Sequence, residues 1–136
     1  MTSFLALPAE LQVLALGVLL LFVHIGAQGM SSTAELGTAH NLSPRDDDRK
    51  ATGVVAGRLR RASANYNETF PAFVALALAL AVTHKTGSLG ATGAWVWLGF
   101  RIVYLPIYAL GIPVVRTLTW IGAVIGLLLM LARLAG

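Results

Sequence analysis

Residues Ala51–Thr83 read ATGVVAGRLRRASANYNETFPAFVALALALAVT, and this stretch decides the fold. It predicts one long helix with two characters. Its first half is small, polar and basic, and its second half, Phe70–Val82, is apolar. A helix rises about 1.5 Å per residue and a bilayer core is about 30 Å thick, so about 20 residues are needed to cross it. The apolar half alone falls short. The helix crosses only if Ala62–Thr69 also enters the membrane with its polar groups turned inward. Hydrocarbon penalises Arg, Asn and Glu, so such residues face a bundle interior, a partner chain or an aqueous cavity.

The rest of the chain agrees with a membrane setting. Hydrophobic residues make up 57% and charged residues only 12%, against roughly 25% charged in a soluble domain. A small soluble domain needs many polar residues to cover its surface. The apolar excess therefore faces lipid, other copies of the chain, or both. The expected fold is an all-α integral membrane protein, a four-helix transmembrane bundle forming a single domain over residues 1–136. Its spans cover about residues 4–30, 62–84, 89–110 and 114–134, with a polar cytoplasmic loop over 31–50. Pro8 suits a first helical turn, where its missing N–H costs nothing. Glu10 is the only charge before Glu35, so the first apolar stretch reads as a retained span rather than a secretory signal. His84–Ser88 and Gly111-Ile112-Pro113 are short breaks, which make successive helices antiparallel neighbours.

The net charge is +4, but the cations are few and interleaved with apolar stretches, so nucleic acid is not an expected partner. Cysteine is absent, which excludes disulfides and thiolate metal sites. His24, His40 and His84 are too scattered for a metal centre, and neither Gly53 nor Gly57 has the context of a phosphate loop. Asp46–Asp48, flanked by Arg, reads as solvated loop. One end of the bundle gathers Arg45, Arg49, Lys50, Arg58, Arg60, Arg61 and Arg116, and the other has Lys85 and Arg133. The excess of Lys and Arg places the first end in the cytoplasm and both termini outside it, in a plasma (inner) membrane if the cell is bacterial.

Two rows of polar residues stand out. Arg58, Arg61, Asn65 and Glu68 share one face of the second long helix, and Arg101, Tyr104 and Tyr108 share one face of the third. Arg116 opens the fourth. Such a set suits a small zwitterionic or anionic ligand. Arg offers a fork of donors for a carboxylate, Glu68 an acceptor for an ammonium group, and Asn65 both donor and acceptor. Nearby positive charge also favours a thiolate, and a chain without cysteine would take its thiol from a ligand. The alternative is structural: Arg61 and Glu68 pair between helices or between subunits. Gly122-x-x-x-Gly126 allows close helix approach in the last span, and Trp95 and Trp97 read as packing or belt residues.

Arg61-Ala-Ser-Ala-Asn65-Tyr-Asn-Glu68-Thr-Phe-Pro71-Ala-Phe73 resembles the signature of the MAPEG family, membrane-associated proteins in eicosanoid and glutathione metabolism. The likeness continues through the arginine and tyrosines of the third span to Arg116. It implies a homotrimer with glutathione, as cosubstrate, bound between subunits near the cytoplasmic side. By that resemblance Arg61, Asn65 and Glu68 match glutathione-contacting positions, Tyr104 and Tyr108 match ligand-facing positions, and Arg116 matches the arginine credited with stabilising the thiolate. Thr117 stands where some members have serine. The sequence departs from other members at Ala64, which is arginine in some. It also has no arginine in span 1, where Gln28 or His24 would substitute in part. The implied activity is that of a glutathione transferase or peroxidase acting on lipophilic electrophiles, with Arg116 and Tyr108 as its catalytic groups. The alternative is a non-catalytic membrane protein binding lipid or a small anion in the same pocket. A small transporter is a third reading, which four short unbroken spans without a repeat support little.

Overall fold

The computed structural model describes residues 3–136. After a short 3-10 turn at Phe4–Ala6 come α1 (Ala9–Leu36), α2 (Thr38–Leu42), α3 (Val54–Val82), α4 (Ser88–Leu110) and α5 (Pro113–Ala135). Helices α1, α4 and α5, of 28, 23 and 23 residues, are each long and apolar enough to cross a membrane. Large apolar side chains along them stand exposed, among them Leu19, Phe22, Leu128 and Leu131, each at least half open. No aqueous surface would favour that display. The protein is an integral, multi-pass membrane protein.

Two boundaries differ from the sequence expectation. Pro8 caps α1 from outside rather than sitting in its first turn. The helix also runs six residues past Met30, through the polar Ser31–Leu36, so the loop expected from residue 31 is helical at its start. Ser31 Oγ donates to the Gln28 carbonyl at 2.9 Å and keeps its polarity local to the helix. Gly37, at φ +85°, ends the helix in a conformation that an L side chain rarely adopts.

The core lies where α1, α3 and α4 meet around Trp97. The Trp97 indole stacks on Phe73 with centroids 4.1 Å apart and faces Phe70 at 6.0 Å. Tyr66 donates its hydroxyl to the Gly17 carbonyl of α1 at 2.6 Å, so a buried polar group is satisfied across helices. Helix α5 closes on α4 through glycines. A Cβ on Gly126 would stand 2.6 Å from the Trp97 amide nitrogen, and one on Gly93 would stand 2.5 Å from the Gly126 carbonyl oxygen. Gly126 and Gly93 thus let two backbones touch within one chain, while Gly122 leaves room for the Phe100 ring.

The two ends of the bundle are tied differently. At one end the buried Glu10 accepts the Gly87 N–H at 2.7 Å, Lys85 donates to the Leu134 carbonyl at 2.9 Å, and Arg133 donates to the Lys85 carbonyl at 3.1 Å. At the other, Glu35 in the last turn of α1 clamps the start of α3. Its carboxylate accepts the Thr52 N–H at 2.6 Å, the Thr52 hydroxyl at 2.9 Å and the Gly53 N–H at 2.9 Å. Glu35 lies past the apolar stretch of α1, in the polar connection, and those donors hold its carboxyl below the usual glutamate value.

Candidate functional site

Helix α3 sets the site because its neighbouring residues point opposite ways. Ala62 and Tyr66 are fully buried, whereas Arg61 and Glu68 are exposed and Asn65 is half-buried. On α4, Trp97, Arg101, Tyr104 and Tyr108 form one buried stripe at helical spacing. Pro113 starts α5, a position suited to its fixed φ, and places Arg116, Thr117 and Trp120 on the flank beside that stripe.

Together they frame an open groove of about 490 Å³, within the usual range for small-molecule sites. The buried rings of Tyr104 and Tyr108 form its floor. Arg61, Ala64, Asn65 and Glu68 stand on one side, and Arg116, Thr117 and Trp120 on the other. Tyr108 links the two arginines. Its hydroxyl accepts from Arg61 Nε at 3.3 Å, and the Arg116 guanidinium lies 5.1 Å from its ring centroid.

Behind the floor Arg101 is fully buried. Its Nη1 donates to Asn65 Oδ1 at 2.7 Å and its Nη2 to Thr69 Oγ1 at 2.5 Å, and its guanidinium lies 5.4 Å from the Tyr104 ring centroid. Its partners are neutral, and no carboxylate pairs with it among the described residues. Because Asn65 gives its oxygen to Arg101, its amide nitrogen is left to donate toward Glu68, at 3.4 Å. The groove thus presents donors from Arg61, Arg116 and Asn65, and one carboxylate, Glu68.

Seven residues singled out from the sequence line this groove: Arg61, Asn65, Glu68, Tyr104, Tyr108, Arg116 and Thr117. Gln28 does not. It lines a separate cavity with Ser32, His40 and the basic side chains of the loop. His24 is buried against Tyr66, with ring centroids 4.7 Å apart. Arg58 donates to the Ala109 carbonyl at 3.1 Å, so it caps the C-terminal end of α4. Arg60 reaches the Ala51 carbonyl at 3.5 Å. Sequence reasoning missed Thr69 and Trp120. Each stands four residues after a residue that had been marked, Asn65 and Arg116, and that interval was the available signal.

No match is found among the curated proteins or among the solved structures. The MAPEG family model matches residues 9–136, nearly the whole length, and the chain belongs to the MAPEG family.

Proposed function

We propose that the groove binds glutathione and that the protein is a membrane glutathione transferase or peroxidase. In this reading α3 is a fourth span and the chain is a single domain assembled as a homotrimer. Both termini lie outside the cytoplasm. The family includes enzymes and non-enzymatic members, so the reading rests on the groove. One observation carries it: Arg61 and Arg116 meet on Tyr108 at the rim of a groove that also holds Asn65 and Glu68.

The donor set fits the ligand. Glutathione presents two carboxylates, one ammonium group and a thiol, with a net charge of about −1 near neutral pH by the usual carboxyl and amino pKa values. The groove presents two guanidinium groups and one carboxylate. It opens on the flank of the bundle, where a lipophilic substrate dissolved in the bilayer has access. Part of that flank is left to a neighbouring subunit in the trimer of this reading.

Glutathione supplies the sulfur nucleophile that a cysteine-free chain lacks. Arg61 takes a carboxylate in bidentate fashion, and Glu68 takes the ammonium group. Asn65, its oxygen engaged by Arg101, donates with its amide nitrogen. Arg116 holds positive charge at the sulfur and favours the thiolate, whose proton passes to solvent. Tyr108 keeps Arg61 and Arg116 at a fixed separation. The positive-inside rule supports a cytoplasmic position for this end.

The test is binding of glutathione to the detergent-purified chain, its Arg61→Ala form and its Arg116→Ala form, with thiolate absorbance recorded. Binding with a depressed thiol pKa that vanishes in Arg116→Ala is the expected result. Binding lost in Arg61→Ala, with no thiolate in the parent, would make the groove a peptide-binding site without activation. Absence of binding at millimolar glutathione would refute the glutathione reading altogether.

A further inference from the structure

A second cavity lies apart from the groove, where the end of α1, helix α2 and the following loop meet α3. It holds about 190 Å³, and its lining includes Gln28, His40, Arg45, Arg49, Lys50 and Arg60. Four of its side chains are therefore cationic, and no carboxylate lines it. The aspartates of the same loop stand outside. Asp47 approaches His40 at 3.7 Å and Arg49 at 4.0 Å from that outer side.

The cavity is held in place from several directions. The His40 side chain is only 9% exposed. Arg45 donates to the Asn41 side chain, Arg60 reaches the Ala51 carbonyl, and Ala51 is itself buried. The Glu35 clamp on Thr52 and Gly53 fastens the end of the same loop. Four cations with one acid, Asp47, beside them still repel one another in sum, so an arrangement of this kind is favoured when an anion joins it.

The position selects the anion. Gln28 and Ser32 in the lining stand either side of Met30, the residue with which the apolar run of α1 ends. The cavity thus sits at the level where the apolar run of α1 gives way to the polar loop. That is the level of the lipid headgroups, and a cluster of Lys and Arg directly beside the end of a span attracts anionic ones.

From this juxtaposition we propose that the cavity is a binding site for the phosphate headgroup of an anionic phospholipid. The site is separate from the glutathione groove and does not depend on that reading. Arg45, Arg49, Lys50 and Arg60 hold the phosphate, and His40 forms the side of the cavity.

The full-length chain, purified in a neutral detergent, is titrated with dioleoyl phosphatidylglycerol, dioleoyl phosphatidylcholine and inorganic phosphate, and bound lipid is counted by native mass spectrometry. Phosphatidylglycerol is expected to remain bound while phosphatidylcholine does not. The double substitution Arg49→Gln/Arg60→Gln is expected to weaken phosphatidylglycerol about twenty-fivefold, about fivefold for each charge. If that variant does not give folded protein, Arg49→Gln and Lys50→Gln singly, both on the exposed loop, carry the test with about fivefold each. Asp47→Asn removes an acid from the rim and is expected to tighten binding, a direction that misfolding cannot produce. Equal retention of the two lipids, unchanged affinity in the arginine variants, or weaker binding in Asp47→Asn would each overturn the site. Displacement of phosphatidylglycerol by millimolar phosphate would assign it to a soluble anion and overturn the lipid.

Discussion

Along α3, residues 61–68 and residues 70–80 meet opposite surroundings. In the later half, Phe73, Ala77 and Leu80 are fully buried, and Phe70 and Phe73 lie against Trp97. In the earlier half the buried positions are Ala62, Ser63 and Tyr66. Ala62 and Tyr66 pack inward, while Arg61 and Glu68 stand in the open groove. One half gains from close packing and loses by any change of volume. The other gains from keeping charges uncovered on a firm floor. Stability and ligand chemistry are therefore separable along a single helix, with Arg101 at the junction, where it bonds Asn65 and Thr69.

Substitutions should separate the halves. Gly126→Val puts side-chain atoms into the Trp97 backbone, and overpacking of that kind costs about 3 kcal/mol or more. It should abolish folded protein in detergent, and a variant with parental Tm would mean that α4 and α5 do not pack this closely. Phe73→Ala opens a cavity beside Trp97 and should cost about 3–5 kcal/mol. Its signature is a lowered Tm, with glutathione affinity kept in the fraction that remains folded.

Arg101→Leu should move both readouts. It leaves Asn65 and Thr69 without their charged donor, at about 2 kcal/mol, and frees the Asn65 amide to turn. A fall in Tm with unchanged glutathione affinity would show that Asn65 is not held for a ligand. Arg116→Ala should do the reverse of Phe73→Ala. Its stability should stay within about 0.5 kcal/mol of the parent's, as for surface changes, so its Tm should barely move. Thiolate-dependent turnover should fall by about a hundredfold, the scale for losing one charge-stabilising donor. A large Tm loss in this variant would erase the distinction between the halves.

The smallest effect belongs to Glu35. Its carboxyl is lowered from 4.5 by the Thr52 and Gly53 N–H groups. A carboxyl with a lowered folded pKa adds stability above its unfolded value and loses it as pH falls through the folded one. The Tm difference between the parent and Glu35→Gln should therefore be full above about pH 4.5 and shrink below it. A difference that grows on acidification would remove the clamp from the account.

The polar face of α3 was legible in the sequence because helical spacing is local. Arg61, Asn65 and Glu68 needed only a periodicity to be grouped, and Gly122-x-x-x-Gly126 only an interval. What stayed hidden depends on distant parts of the chain. Tyr66 follows Asn65 directly, and nothing local tells that its hydroxyl reaches Gly17. Gln28 belongs with His40 and Arg60 through the folding of a loop, which periodicity along α1 does not encode. The extension of α1 through Ser31–Leu36 was masked by polar residues that helices accept once outside the hydrocarbon.

Under the proposed transferase or peroxidase reading, the groove's opening on the flank of the bundle has a kinetic consequence. A lipophilic substrate that arrives sideways diffuses in two dimensions, and its effective concentration is its mole fraction in the bilayer, not its amount per litre. Adding inert lipid at fixed protein and substrate would then slow the reaction by surface dilution. A Michaelis constant measured in one detergent would carry over to another only after correction for partitioning.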